Sequence, residues 1–471
     1  MELRMKKVSL IAAAVTTALM AGSAFAENEV ALDVTSGDSA MEVEVKNPTD
    51  VIADGWEVHG YMSSNVRVAD GKTVDTEYGK PDYLTAGTHG KSTNQVEFVV
   101  KKHSEYQNGV WADYVLRTEY GNGNSYAYSS EGGQKKNDDS QFEVKEAFVE
   151  LGGILGEDTS IWGGQRYFNR AAGILSGEFW KQSSGIGAGI QTKLGGNTAG
   201  IAYIMADPDA GSADSYTIDC KQDDGTTSTD PSKCKVKKDG AKERETLSSI
   251  DLYYYGVDVG IGSMDFDFKY GQQTLDGEND DGFGASVTLN TSYYGLDGWT
   301  QNAIAYGKGV MQNRGVNFGN WSGGGDDAES LFLTSYGVLN ISEKVQLGTE
   351  ATYFTSLDTL FGQEDLTRWI VAARPSYKLN DNIRLEATAS YGYEEVGDPA
   401  AWGRNAANEE SKVVNLELAT AFTANSDYFG RPQIKPYVSY IKADDEASAS
   451  QIGIENGKDQ FVFGVHTEIW F

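Results

Sequence analysis

The sequence predicts an all-β fold: a transmembrane antiparallel up-and-down β-barrel of about eighteen strands, with an inward-folded third extracellular loop. Three observations carry that expectation. Apolar and polar residues alternate with period two along most of the chain. The connections between these stretches are alternately short and long. The chain opens with an export signal, and no later apolar run has the length of a membrane helix, which spanning strands do not require.

At the start, Arg4, Lys6 and Lys7 precede the apolar run SLIAAAVTTALMAG, and small residues follow at Ala24 and Ala26. That is the pattern of a secretory signal peptide over residues 1–26. The run is too short for an anchor, which needs about 20 apolar residues. Residues 27–55 are acidic and lack an apolar period, so they read as a short periplasmic extension. The barrel domain is expected over 56–471.

Alternation then sets the strands. In SMDFDFKYG, Met264, Phe266, Phe268 and Tyr270 oppose Asp265, Asp267 and Lys269. In NIRLEATASY, Ile383, Leu385, Ala387 and Ala389 oppose Arg384, Glu386, Thr388 and Ser390. Strands are expected at roughly 56–67, 93–103, 107–119, 140–152, 159–167, 185–194, 198–206, 246–257, 262–272, 283–293, 298–308, 330–340, 344–354, 367–378, 382–393, 412–424, 432–443 and 459–471. QNG, LGGN and LNDN make short turns, whereas 69–92, 120–139, 207–245, 309–329, 394–411 and 444–458 are long and polar. A soluble sandwich has no reason for this rhythm. A barrel in the outer membrane of a Gram-negative bacterium does, with short periplasmic turns and long external loops. The terminal FVFGVHTEIWF fits as the closing strand, because an open edge in lipid leaves backbone groups unsatisfied.

Composition narrows the function. With 69 acidic and 39 basic side chains the formal charge is −30, which excludes a polyanion such as nucleic acid as the natural partner. Outer-membrane lipids are the expected surroundings. Cys220 and Cys234 share one polar stretch, and an exported chain permits a local disulfide there; two free thiols are the alternative. No metal or cofactor motif stands out. The acidic DGENDDG at 276–282 suits Ca2+ by charge but lacks the spacing of a known cation loop, and reads first as a solvated loop. Only four histidines are present and no G-x-S-x-G occurs, so an enzyme is not expected.

Two features of the inner wall suggest a solute. If Phe471 and Ile469 meet lipid, Trp470 faces the lumen; by the same parity Tyr61 lies on the inner face of the first strand, next to the last at closure. Residues 168–184, FNRAAGILSGEFWKQSS, carry Ile174, Leu175, Phe179 and Trp180 where a solvated loop would be polar, so this connection needs a wall to pack against. Folded inward it would narrow the channel, with Arg166 and Arg170 as donors at the constriction. Sugars stack their C–H faces on aromatic rings and ring their edges with hydroxyls, which such residues match.

The motifs HGYM (59–62), TSIWGGQRYFNR (159–170), GIGAG (185–189), ARP (373–375), RPQIKPYVSYIKADDE (431–446) and FGVHTEIWF (463–471) resemble, in order, those of the maltoporin family of sugar-specific porins. The resemblance implies an eighteen-stranded homotrimer that passes sugars and oligosaccharides of the maltodextrin kind. It makes Tyr61, Phe179 and Trp470 members of an aromatic slide, and Glu97, Lys145 and Arg170 members of a polar track. This chain departs from the family pattern where Gln95 replaces a slide Tyr, Ser63 a pore Arg and Gly177 a loop Asp, and near Ala285 and Phe283, where a slide Phe is expected. Trp369 lies next to a slide position but faces lipid by parity. The alternatives are a general or cation-leaning porin, drawn from the inward Asp265, Asp267, Glu350, Glu386 and Glu468, and a porin for another oligosaccharide such as sucrose or a β-glucoside.

Overall fold

A computed structural model describes residues 51–73, 84–91, 94–121, 141–206, 216–219, 235–238, 244–275, 277–399, 409–454 and 456–471. The signal peptide, most of the extension, and both Cys220 and Cys234 lie outside the described residues.

Eighteen long strands form one closed antiparallel sheet. They are β1 Val51–Ala69, β2 Asn94–Tyr106, β3 Trp111–Gly121, β4 Gln141–Gly153, β5 Gly156–Ala172, β6 Phe179–Leu194, β7 Asn197–Met205, β8 Arg244–Asp258, β9 Gly262–Leu275, β10 Glu278–Tyr293, β11 Leu296–Gly309, β12 Glu329–Asn340, β13 Val345–Ser356, β14 Thr367–Asn380, β15 Ile383–Glu395, β16 Glu410–Thr423, β17 Gln433–Ala443 and β18 Asp459–Trp470. Each pairs with its chain neighbours, and β1 pairs with β18 from Tyr61↔Trp470 to Ala69↔Val462. Closure removes both edges, as hydrocarbon demands. One short helix, α1 Glu446–Gln451, sits before β18 and is capped by Asp445.

Parity decides the two faces as the alternation predicts. On β18, Phe461, Phe463 and Val465 are exposed outward while Val462, His466 and Glu468 are buried inward. Trp369 also faces out, packed against Tyr391 and Tyr393 at 5.2 and 5.6 Å. Phe283 is outward too, beside Phe268 and Tyr306, and Ala285 shares its face, so neither fills the missing slide position. Two open depressions, of about 690 and 560 Å³, lie on this outer face, lined by residues such as Val287, Ile304 and Val371 in one and Leu252 and Phe268 in the other. They belong to the hydrocarbon-facing wall and not to the channel.

Several expectations need correcting. The first strand starts at Val51, so residues 51–55 of the expected extension pair with β2. Strict long–short alternation fails between β9 and β10, which are joined by two residues only. The DGENDDG stretch is therefore mostly strand, with Asp280 and Asp281 accepting hydrogen bonds from Gln273 and Tyr270. Among the described residues no three His, Cys, Asp or Glu side chains gather as a cation site. The loops expected to be polar and external at 69–92 and 309–329 are in part internal. Residues 84–91 lie inside the barrel: Ala86 N donates to Ser390 Oγ (3.0 Å), and Thr88 N and Oγ1 donate to the Glu417 carboxylate (2.7 and 2.6 Å). A Cβ on Gly392 would stand 2.2 Å from the Leu84 carbonyl oxygen, so the wall is bare there to admit this loop. Residues 310–328 bury Met311, Val316 and Phe318 completely and run parallel to β6 at Asn317↔Gln182. One of their wall contacts is Gly284, whose absent Cβ would lie 1.8 Å from Gly315 O.

Candidate functional site

Connection 173–178 joins β5 to β6 and packs across the lumen. The main-chain amides of Leu175 and Ser176 donate to Glu350 Oε2 of β13, at 2.7 and 3.2 Å, and Ser176 Oγ donates to Oε1 of the same carboxylate. Trp180 is buried, stacks on Phe332 at 5.8 Å and donates from Nε1 to Tyr336 Oη (3.3 Å). Arg314, from the 310–328 loop, pairs with Glu178. Thus two loops meet each other and a distant strand on the inner side of the barrel. A third loop comes within reach: a Cβ on Gly177 would stand 3.4 Å from Lys91 Nζ.

Register assembles the rest. Trp470 on β18 faces Tyr61 on β1, Tyr61 faces Glu97 on β2, Glu97 faces Glu119 on β3, and Glu119 faces Glu143 on β4. A row of register partners runs across the strands, and because barrel strands tilt by about 35–45° the row climbs along the channel axis. Arg117 pairs with Glu97 and with Glu146, the latter at 3.2 Å. Lys145 pairs with Glu143 and reaches Glu119 at 3.9 Å. Lys145 and Glu146 are adjacent yet both buried, which simple alternation forbids. The cause is a β-bulge: Arg117 opposes Glu146 and Thr118 opposes Val144, leaving Lys145 as the extra residue.

Above this row stands a column of alternating cations and rings. The Arg117 guanidinium lies 5.4 Å from the Tyr167 ring, and Arg170 lies 4.5 Å from Tyr167 and 4.2 Å from Phe179. Glu146 fixes the column's base by accepting from Tyr167 N at 3.0 Å. Such contacts hold planar groups face to face.

Of the expected residues, then, Tyr61, Trp470 and Glu97 share one register row, Lys145 joins it through ion pairs to Glu119 and Glu143, and Arg170 and Phe179 share the column above it. Arg166 does not join them. Its guanidinium sits 4.3 Å from Phe148, 5.1 Å from Trp162 and 5.3 Å from Phe168, and reaches Glu150 at 3.4 Å, so it belongs to the wall rather than to the constriction. Arg117 and Tyr167 were missed. Arg117 shares the polar parity of Asp113 and Glu119 in WADYVLRTEYG, so alternation places it on the inner wall. Tyr167 follows Arg166 directly, so parity assigns it to the wrong face; the strand turns irregular there, with Asn169 at φ 50°.

Three of the five inward carboxylates are paired with cations, and Asp265 and Glu350 accept from neutral donors. Asp267 binds Lys181 at 3.0 Å, Glu386 binds Arg384 at 2.7 Å and Lys435 at 3.2 Å, and Glu468 accepts from Tyr61 Oη (3.0 Å) and Arg431 Nε (2.6 Å). Asp265 accepts from Asn290 and Gly256 N, both at 2.8 Å. Of the inward acids expected to favour cations, Asp267, Glu386 and Glu468 therefore each face a basic side chain. His466 Nε2 lies 3.0 Å from Ser63 Oγ, but its Nδ1 is buried without a hydrogen-bond partner, so no third group orients the pair as a base.

A family model described as LamB porin matches residues 56–471. A maltoporin of Vibrio cholerae serotype O1 (strain ATCC 39541) is 24% identical over the full length of both chains. A maltoporin of Klebsiella pneumoniae is 23% identical, covering 88% of this chain and 93% of its own. Among solved structures, a BenF-like porin from Pseudomonas fluorescens Pf-5 aligns with a TM-score of 0.44 at 11% identity, over 88% of this chain and 99% of that one. An anion-selective porin from Comamonas acidovorans aligns at 0.38 and 12%, over 89% and 100%. Those two scores bear on neither solute nor selectivity.

Proposed function

The chain belongs to the LamB porin family, an outer-membrane channel for sugars, and from that premise we propose that it passes maltose- and maltodextrin-like oligosaccharides by stepwise diffusion along one wall. The row from Trp470 through Tyr61 to Glu97, continued by Arg117, Tyr167, Arg170 and Phe179, carries this reading. Rings accept the C–H faces of successive pyranoses. Carboxylates and guanidinium groups beside them exchange hydrogen bonds with the hydroxyls. Each contact is weak, on the order of 0.5–1.5 kcal/mol for a ring, so the solute is guided without being trapped. Ion pairs within the wall hold the donors and acceptors in place before a sugar arrives, which limits the entropic cost of binding.

Residues 1–26 are read as a cleaved signal, and the functional unit as a homotrimer without catalytic activity. The test is a planar-bilayer titration of one preparation with maltose, maltotriose, sucrose, cellobiose and chitobiose. Saturable block by maltose and maltotriose alone supports the proposal. Block by sucrose or cellobiose instead assigns another oligosaccharide, and no block by any of them makes this a general porin.

A further inference from the structure

The 84–91 segment inside the barrel ends on a lysine that the row and the column do not use. Its backbone is tied down. Lys91 N donates to Thr88 O at 3.1 Å, and the Lys91 carbonyl accepts from Arg67 Nη1 at 3.0 Å and Asn65 Nδ2 at 3.3 Å. Thr88 is itself bound to Glu417 of β16. The side chain therefore starts from a point fixed to β1 and β16. Its ammonium has no counter-charge: among the described residues Lys91 Nζ makes no ion pair and no hydrogen bond. It stands 3.4 Å from the Cβ position of Gly177, with no other described atom within 4 Å of that position. A carboxylate side chain at 177 would pair with it, and the glycine leaves it free.

The acids around it are already engaged. Glu350 holds the amides of Leu175 and Ser176, and Glu178 pairs with Arg314. Glu468 accepts from Tyr61 on one oxygen and from Arg431 and Gln433 on the other. Toward the periplasm the inner wall carries more cations than acids. Glu386 has Arg384 Nε at 2.7 Å, Lys435 Nζ at 3.2 Å and Arg374 Nε at 4.0 Å. Gln433 joins this group to Arg431 and Glu468, accepting from Arg384 Nη2 at 3.2 Å and donating to Glu468 Oε2 at 3.0 Å. Four cations there share two carboxylates, in a chain whose formal charge is −30. A lysine on an external loop is ordinarily just solvated. Lys91 is instead held inside the barrel, where a passing solute displaces water from the ammonium. The group that best replaces that water is an anion, because a hydrogen bond between two charged groups is about twice as strong as a neutral one. Anion-selective pores place Lys and Arg along their walls for the same reason.

We propose that Lys91 is an anion subsite in the lumen, so that the channel takes acidic saccharides, bearing a carboxylate or a phosphate group, in addition to neutral ones and holds them more tightly. The proposal rests on the sugar-channel reading above and extends its substrate class. The aromatic row receives the pyranose faces, Lys91 receives the acidic group, and the cations around Glu386 and Glu468 keep the exit toward the periplasm favourable for an anion.

The experiment measures block of single channels of the full-length protein by maltotriose, trigalacturonate and a phosphorylated maltotriose. Lys91→Met keeps the length of the side chain without its charge, Lys91→Arg keeps the charge, and Gly177→Asp supplies the missing carboxylate while leaving Lys91 in place. At least one of the two acids should block wild type roughly tenfold more tightly than maltotriose, the margin of a charged over a neutral hydrogen bond. Which acid shows the margin tells a carboxylate from a phosphate. The margin should vanish in Lys91→Met and Gly177→Asp and persist in Lys91→Arg, with maltotriose block near wild type in all three. It should also shrink from 0.1 M to 1 M KCl, as the screening length falls from about 10 to about 3 Å. A margin that survives Lys91→Met, or wild type that holds neither acid more tightly than maltotriose, overturns the subsite and leaves the sugar-channel reading standing. A wild-type channel that none of the three solutes blocks overturns both.

Discussion

Replacing Glu350 by Ala removes the anchor that holds the constriction across the lumen. Its carboxylate is almost fully buried, at 3% exposure, and no ion pair to it is seen among the described residues. Instead it accepts from the amides of Leu175 and Ser176 and from Ser176 Oγ. Hydrogen bonds to a charged acceptor each contribute about 1.5–3 kcal/mol, and an amide left buried without a partner costs about 1–3 kcal/mol. Two amides lose their acceptor together, so the docked loop should be weakened by roughly 2–5 kcal/mol. Since each ~1.4 kcal/mol is a factor of ten, the undocked population rises at least tenfold. The stack of Trp180 on Phe332 and the Arg314–Glu178 pair still tether the loop, so it should fluctuate rather than leave. Single-channel recordings of Glu350→Ala should show larger, noisier conductance and weaker sugar block. Glu350→Gln keeps one acceptor oxygen and should fall between. If the Ala variant conducts with wild-type amplitude and noise, the carboxylate is not what holds the loop.

Three further outcomes are expected. Trp470→Ala should weaken sugar block about two- to tenfold, the worth of one ring contact, while ion conductance changes little; equal block constants in variant and wild type would remove Trp470 from the path. Arg117→Ala strands Glu97 and Glu146 as buried charges and should destabilise the barrel by about 3–5 kcal/mol, read as a lower temperature for loss of the folded band in heat-modified electrophoresis, with Arg117→Lys only partly restoring it because it cannot bridge both carboxylates equally. Val465→Lys places a charge on the lipid face and should cost up to about 2–4 kcal/mol, reducing folding into bilayers; a change on the inward face of the same strand at a site open to water, such as Gln460→Lys, should not show that loss, and equal folding of the two would contradict the assignment of faces.

What could be read from the chain alone was whatever depends on neighbours in sequence. Period two is local, so the outward Phe461, Phe463 and Val465, the inward Tyr61 and Trp470, and the lipid-facing Trp369 were all assignable residue by residue. The apolar content of 168–184 showed that this connection must find a wall, because burial is a property of composition. Met311, Val316 and Phe318 carry the same signal within 309–329.

Only the tertiary structure decided what those faces meet. The anchor for Leu175 and Ser176 is Glu350, more than 170 positions away, and no local pattern names it. The bulge at Lys145 breaks parity through one extra residue, and the irregular strand at Asn169 carries Tyr167 into the column; both depend on pairing with a second strand. Charge is decided the same way: a composition of −30 suggests an acidic lumen, yet closure of the sheet brings Arg117, Lys181, Arg384, Arg431 and Lys435 against the inward acids. Alternation says which side of the wall a residue occupies. Register, fixed only when the barrel closes, says which residues stand beside it, and hydrogen bonds and ion pairs act only between residues that stand together.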